Sequence, residues 1–162
     1  MLRRLSFAPF VLALVAVAPA GAFELQRLDA VRANLEDFVG EGRWTLVQLW
    51  TTDCVPCERQ KPMLEAFHRD HHERDARVVG IALDGPKAIE EIERVVERTA
   101  PSYVTLVAFD DVFAEQFAAL TGRAFRATPT YLLYDPSGAF AGVHTGPIAR
   151  ERVEAVIAQA AR

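Results

Sequence analysis

Lysine is almost missing from this chain. Of its 18 basic residues only Lys61 and Lys87 are lysine, and the arginines form no basic stripe. Against 22 acidic residues they leave a net charge of −4. A nucleic-acid binder held by phosphate contacts is therefore excluded. Cysteine is scarce as well, two in 162 residues, which excludes a scaffold stapled by disulfides. No apolar run reaches the ~20 residues of a bilayer-spanning helix. Repeats, linkers and low-complexity stretches are missing too. What is present is an ordinary globular composition, 51% hydrophobic and 25% charged. It suits one domain with its own core and excludes disorder, collagen and coiled coil.

The start of the chain reads as an address. Arg3 and Arg4 precede an apolar run, Leu5 to Ala18, broken only by Ser6 and Pro9. Ala20-Gly21-Ala22 then offers the small residues of a cleavage site. The expectation is a secretory signal peptide over residues 1–22, cut before Phe23, and one domain over 23–162. An uncleaved membrane anchor is the alternative. No cysteine follows the apolar run, which argues against a lipoprotein. Export means an oxidising compartment, and a bacterial periplasm is the expected location.

Periodicity gives the elements. Leu28, Val31, Leu35 and Val39 have helical spacing, so Leu25 to Val39 is predicted as a helix ending at Gly40. Arg43 to Thr51 is β-rich and apolar on both faces, as in a buried central strand. Pro56 to His72 follows as a helix, with Met63, Leu64 and Phe67 on one face. Strands are predicted at Arg77–Leu83, Tyr103–Phe109 and Tyr131–Tyr134, with helices at Lys87–Arg98 and Val112–Thr121 between them. Asp135-Pro136-Ser137-Gly138 is a turn, Ala139 to His144 pairs back as a hairpin, and Arg150 to Ala161 closes as a helix. The fold class is α/β, with a central mixed β-sheet flanked by helices.

Both cysteines fall in Cys54-Val55-Pro56-Cys57, after a predicted buried strand and at the start of a helix. Four residues at a helix start bring the sulfurs within bonding reach. Free N–H groups and the helix dipole there stabilise a thiolate on Cys54. Pro56 fits the first turn, where its missing N–H costs nothing. Cys54 is the expected nucleophile, and Cys57 the more buried thiol that resolves a mixed disulfide. The bland readings are a permanently closed disulfide and half of a zinc site. The first stabilises little with so short a loop, and the second lacks its other ligand pair.

Trp50-Thr51-Thr52-Asp53-Cys54-Val55-Pro56-Cys57, with Pro62 five residues later, resembles a thioredoxin-fold active site. Ala127-Thr128-Pro129-Thr130-Tyr131 and the following Asp135-Pro136-Ser137-Gly138 resemble the cis-proline strand and turn of that fold. Val78 to Asp84 and the helix after it resemble the exported TlpA/ResA/CcmG branch. The resemblance implies a thioredoxin fold with a helix-bearing insertion between the CxxC half and the cis-proline half. It implies a thiol–disulfide oxidoreductase that reduces client proteins, in cytochrome c maturation or envelope redox homeostasis. Cys54 and Cys57 would be the catalytic pair, supported by Trp50, Asp53, Pro56, Thr128 and Pro129. Pro129 would be cis beside Cys54, leaving the Thr128 backbone free to pair with a client. No cofactor or metal beyond the Cys54–Cys57 couple is expected. The partners would be disulfide-containing clients and a membrane thiol carrier that resupplies electrons to a monomer. A disulfide oxidase or isomerase is the first alternative. A copper-binding metallochaperone is the second, although such proteins use CxxxC with a histidine where this chain has Ala127-Thr128-Pro129.

The sequence also departs from that pattern. Thioredoxins carry a buried Asp six residues before the first cysteine, and here it is Gln48. Some family reductases carry a Glu three residues after the second, and here it is Gln60. Neither amide can take a proton from Cys57. Asp53 stands where Trp is frequent, and reads as a helix cap or a proton relay. His68, His71 and His72 read as a solvated helix end or, less simply, as metal ligands. Phe125 and Tyr131 are candidates to line a client groove.

Overall fold

The computed structural model describes residues 23–160, so the expected signal peptide lies outside the described residues. Strand β3 (Trp44–Trp50) is buried along nearly its whole length. An apolar run of this kind needs cover on both faces, and the neighbouring elements supply it. β4 (Ala76–Ala82) pairs parallel to β3, and β5 (Val104–Ala108) pairs parallel to β4. On the other side, β6 (Thr130–Tyr134) runs antiparallel to β3, and β7 (Phe140–Thr145) returns beside it as a hairpin.

The helices fill the layers. α1 (Val55–His71) and α4 (Arg150–Ala160) cover one face, where Leu64 and Phe67 meet Leu46, Tyr131, Val153 and Ile157. α3 (Asp110–Thr121) covers the other, setting Phe113 and Phe117 against Val47, Leu49 and Leu132. α2 (Ile89–Thr99) brings Ile92 and Val95 to a third cluster with Trp50, Ala82, Cys54 and Cys57. The β4–α2–β5–α3 run is the helix-bearing segment between the CxxC half and the proline half. The turn after β6 packs onto Gly40, which has φ +78°. A Cβ there would sit 3.3 Å from the Gly138 nitrogen, so this approach needs glycine on both counts.

The predicted helix over Leu25–Val39 is not formed. Its place is taken by a hairpin of β1 (Glu24–Gln26) and β2 (Arg32–Asn34), then a single 3-10 turn at Leu35–Phe38. β1 adds antiparallel to β5, giving a seven-stranded sheet of order β2-β1-β5-β4-β3-β6-β7. The deciding pattern is the alternation of buried Phe23 and Leu25 around exposed Glu24. Val31, placed inward by helical spacing, is 56% exposed. An open strand edge with a hydrophobic face beside it outweighs a weak helical propensity.

Candidate active site

The segment between β3 and α1 is pinned before it reaches the cysteines. Leu83 N–H donates to the Trp50 carbonyl at 2.9 Å, tying the end of β3 to the end of β4. The Asp84 carboxylate, just beyond β4, accepts from the Thr52 N–H at 3.0 Å and from its hydroxyl at 2.7 Å. Cys54 N–H then donates to the Thr51 carbonyl at 3.2 Å, which turns the chain into the helix. Asp84 ends the Val78–Asp84 run, but its sequence context gave it no role at the site.

Cys54 is the N-cap of α1, and its Sγ accepts the Cys57 N–H at 3.1 Å. A sulfur in that place receives the free amide and the positive end of the helix together. The two cysteines are joined by a disulfide, with their Cα atoms 5.3 Å apart. Cys57 is fully buried, while Cys54 retains 7% exposure beside the exposed Val55 and Pro56. Pro56 lies in the first turn. Asp53 does not cap the helix, because Cys54 holds that position. The Asp53 carboxylate is exposed and accepts from the Thr51 hydroxyl at 2.8 Å.

The Thr128–Pro129 peptide bond is cis. Thr130 lies opposite Leu49 in the β3–β6 register, so Thr128 and Pro129 come to the same sheet end as the residues after Trp50. Pro129 is buried and Thr128 half-buried. The Pro129 carbonyl accepts from Gly146 N–H at 2.8 Å, and the Thr130 hydroxyl donates to the Ala127 carbonyl at 2.7 Å.

The two amides that replace the acidic residues converge. The Tyr131 hydroxyl donates to Gln60 Oε1 at 3.0 Å and accepts from Gln48 Nε2 at 3.5 Å. Gln60 Oε1 also accepts the Ile148 N–H at 2.9 Å. Tyr131 is thus a buried link between strand and helix, its phenol pushed above the usual range by burial. Gln48 is fully buried, and its Oε1 has no partner among the described residues. Phe125, the other groove candidate, is partly buried. It packs edge-on against Phe113 and Phe117.

Lys61 was not singled out by the sequence reading. Its ammonium lies 4.0 Å from the centre of the Trp50 ring, and the residue is only 8% exposed. Burial lowers its pKa to about 8. The signal available was its place one turn after Cys57. Of the three histidines only His72, at the C-cap of α1 with its side chain 43% exposed, fits a solvated helix end. His71 is buried between Asp75, at 2.7 Å, and Glu154, at 3.3 Å, while His68 Nδ1 accepts the Val78 N–H at 3.0 Å. No group of three or more metal-ligating side chains occurs among the described residues.

A family model for AhpC/TSA proteins matches residues 17–141. The chain belongs to the AhpC/TSA family. Among curated relatives of this AhpC/TSA protein is the thiol–disulfide oxidoreductase ResA of Halalkalibacterium halodurans. It is 26% identical over 132 residues, which is 82% of this chain and 69% of that protein. ResA of Geobacillus thermodenitrificans is 25% identical over the same share of this chain and 70% of its own. The fold matches solved structures. A thiol:disulfide interchange protein of Chlorobium tepidum gives a TM-score of 0.70 at 20% identity, covering 88% of this chain and 94% of that one. The thioredoxin domain of a thiol–disulfide oxidoreductase from Bacteroides vulgatus gives 0.68 at 18%, covering 85% and 94%. This AhpC/TSA member is a thiol–disulfide oxidoreductase built on the thioredoxin fold.

Proposed function

We propose that the Cys54–Cys57 couple reduces disulfides of client proteins outside the cytoplasm and is its own redox cofactor. The observation that carries this reading is the asymmetry of the pair. Cys54 caps the helix at the more exposed place, and Cys57 is sealed behind it. Reduced Cys54 attacks a client disulfide as the thiolate, one client sulfur leaves with its electron pair, and a mixed disulfide forms. Cys57 then attacks Cys54 Sγ, its proton passing to solvent, and the second client sulfur leaves. The couple ends as the disulfide and the client as the dithiol.

In an oxidising compartment such a reductant needs a supply of electrons, and a membrane protein with its own thiol pair has the matching chemistry. No helix among the described residues is long and apolar enough to cross a membrane. The approach to clients would run over Cys54, Pro56 and the Thr128 backbone. The test is the reduction potential of the couple, by equilibration against glutathione and dithiothreitol. A value near the ~−270 mV of thioredoxin supports the reductant. A value towards the ~−120 mV of a strong oxidant overturns it in favour of disulfide formation.

A further inference from the structure

The buried thiol of Cys57 has to lose its proton before it can resolve a mixed disulfide. Burial opposes that, because a thiolate without water around it is costly. The side chains joined through Tyr131 cannot help: Gln48 and Gln60 are amides, and neither titrates. A charge, however, is close. Lys61 follows Cys57 by one helical turn, so the two share a face of α1. Both are buried, and Trp50 connects their surroundings. Trp50 packs in the cluster that contains Cys54 and Cys57, and the Lys61 ammonium lies 4.0 Å from its centre. No carboxylate lies within ion-pair distance of Lys61 among the described residues. Its field is therefore not spent on a partner, unlike that of Arg98, which holds Glu58 at 2.8 Å.

We propose that Lys61 is the positioning residue that stabilises the Cys57 thiolate, in place of a proton-accepting carboxylate. This rests on the thiol-exchange reading above. The charged groups around Lys61 are few. On α1 they are Glu58 and Glu65, on α2 Arg98, and the Tyr103 phenol stands before β5. Glu58 favours the charged ammonium and Arg98 opposes it, with burial the larger influence. Burial therefore makes Lys61 lose its charge in alkali more readily than an exposed lysine, while a Cys57 thiolate beside it favours the ammonium. Its support for the thiolate is present at neutral pH and fades in alkali.

The two exchange steps can be watched separately with dithiobis-nitrobenzoate. Reduced Cys54 attacks the reagent and releases one coloured thiolate. Cys57 then attacks Cys54 Sγ, the bond to the bound half-reagent breaks, and a second coloured thiolate leaves. Stopped-flow traces over a range of pH are recorded for the wild type, Lys61→Met and Lys61→Arg. A nearby cation shifts a thiol by one unit or more, and nucleophilicity recovers about half of that in the rate. Lys61→Met is expected to slow the second release about three- to tenfold near neutral pH and to move its pH profile upwards. The first release changes less than about twofold, because Cys54 has the helix start to stabilise it. Lys61→Arg restores the second release, and keeps it restored in alkali, where arginine stays charged.

A Met variant whose second release matches wild type at every pH overturns the proposal. So does equal slowing of both releases by Met and Arg alike, which marks a packing role only. Thermal unfolding of each variant identifies a protein that has failed to fold, and the Arg variant then decides. A wild type that gives no second release overturns the exchange reading itself, and the role of Lys61 with it.

Discussion

Gln48→Leu is expected to make this protein more stable, not less. The wild-type amide is fully buried on β3 and returns little for its desolvation. Its Oε1 has no partner among the described residues, which costs about 1–3 kcal/mol. Its Nε2 has one contact, to the Tyr131 oxygen at 3.5 Å, at the limit of a hydrogen bond and worth ~0.5 kcal/mol at most. Leucine has nearly the same volume and no polar atom to satisfy. Tyr131 keeps its shorter bond to Gln60, so the change orphans no donor. The net expectation is a gain of about 1–2 kcal/mol, or roughly 3–8 °C in Tm for a domain of this size. Tyr131→Phe goes the other way. It deletes the 3.0 Å bond to Gln60 and strands the Gln48 NH₂, a loss of about 1–3 kcal/mol. The assay is thermal and urea unfolding of both variants and wild type, all oxidised. A loss of more than about 1 kcal/mol in Gln48→Leu refutes the reasoning, because it requires a partner on Oε1 in the native protein. An ordered water in hydrogen-bond reach of that oxygen would be one.

Two further outcomes follow from the contacts already described. Asp84→Ala removes the carboxylate that holds Thr52, at a cost of roughly 1.5–3 kcal/mol; hydrogen exchange at the Thr52 amide should rise sharply, and unchanged protection would show that Asp84 does not pin the approach to Cys54. Arg150 donates to Asp70 and Glu154, holding both carboxyls below their usual range. That stability is present above the ordinary carboxylate pKa of ~4 and is lost as pH falls through the lowered folded values. Arg150→Met should flatten this part of the acid limb in urea titrations at stepped pH, and an acid limb identical to wild type would sink the assignment.

The parts of this molecule legible from sequence are those set by local pattern. Trp44 to Trp50 reads as a central strand because both of its faces are apolar, and the cysteine spacing fixes the helix start. The predicted helix over Leu25–Val39 fails for the opposite reason. Its residues obey the edge of β5, which lies far along the chain, and only Glu24 between Phe23 and Leu25 hints at it. The same distance in sequence hides the site's interior. Gln48 and Gln60 could be seen as replaced acids, but only the pairing of β6 with β3 brings the Tyr131 hydroxyl between them. His71 misleads for a similar reason: its partner Glu154 belongs to the last helix. Asp53 has the composition of a cap, yet the cap is a sulfur.

The N-terminal hairpin has a consequence for how the chain assembles. β1 has no partner but β2 until β5 exists, and Leu25 must wait for Ala108. A two-strand hairpin of three-residue strands is not stable alone. As the chain emerges from its amino end, the first strands made are among the last to dock. Until then Phe23 and Leu25, both fully buried at the end, remain in solvent, and the β5 edge stays open. Closing that gap joins segments far apart along the chain, as the pairing of β6 with β3 also does, and long-range pairing of this kind is the slow step in building a sheet.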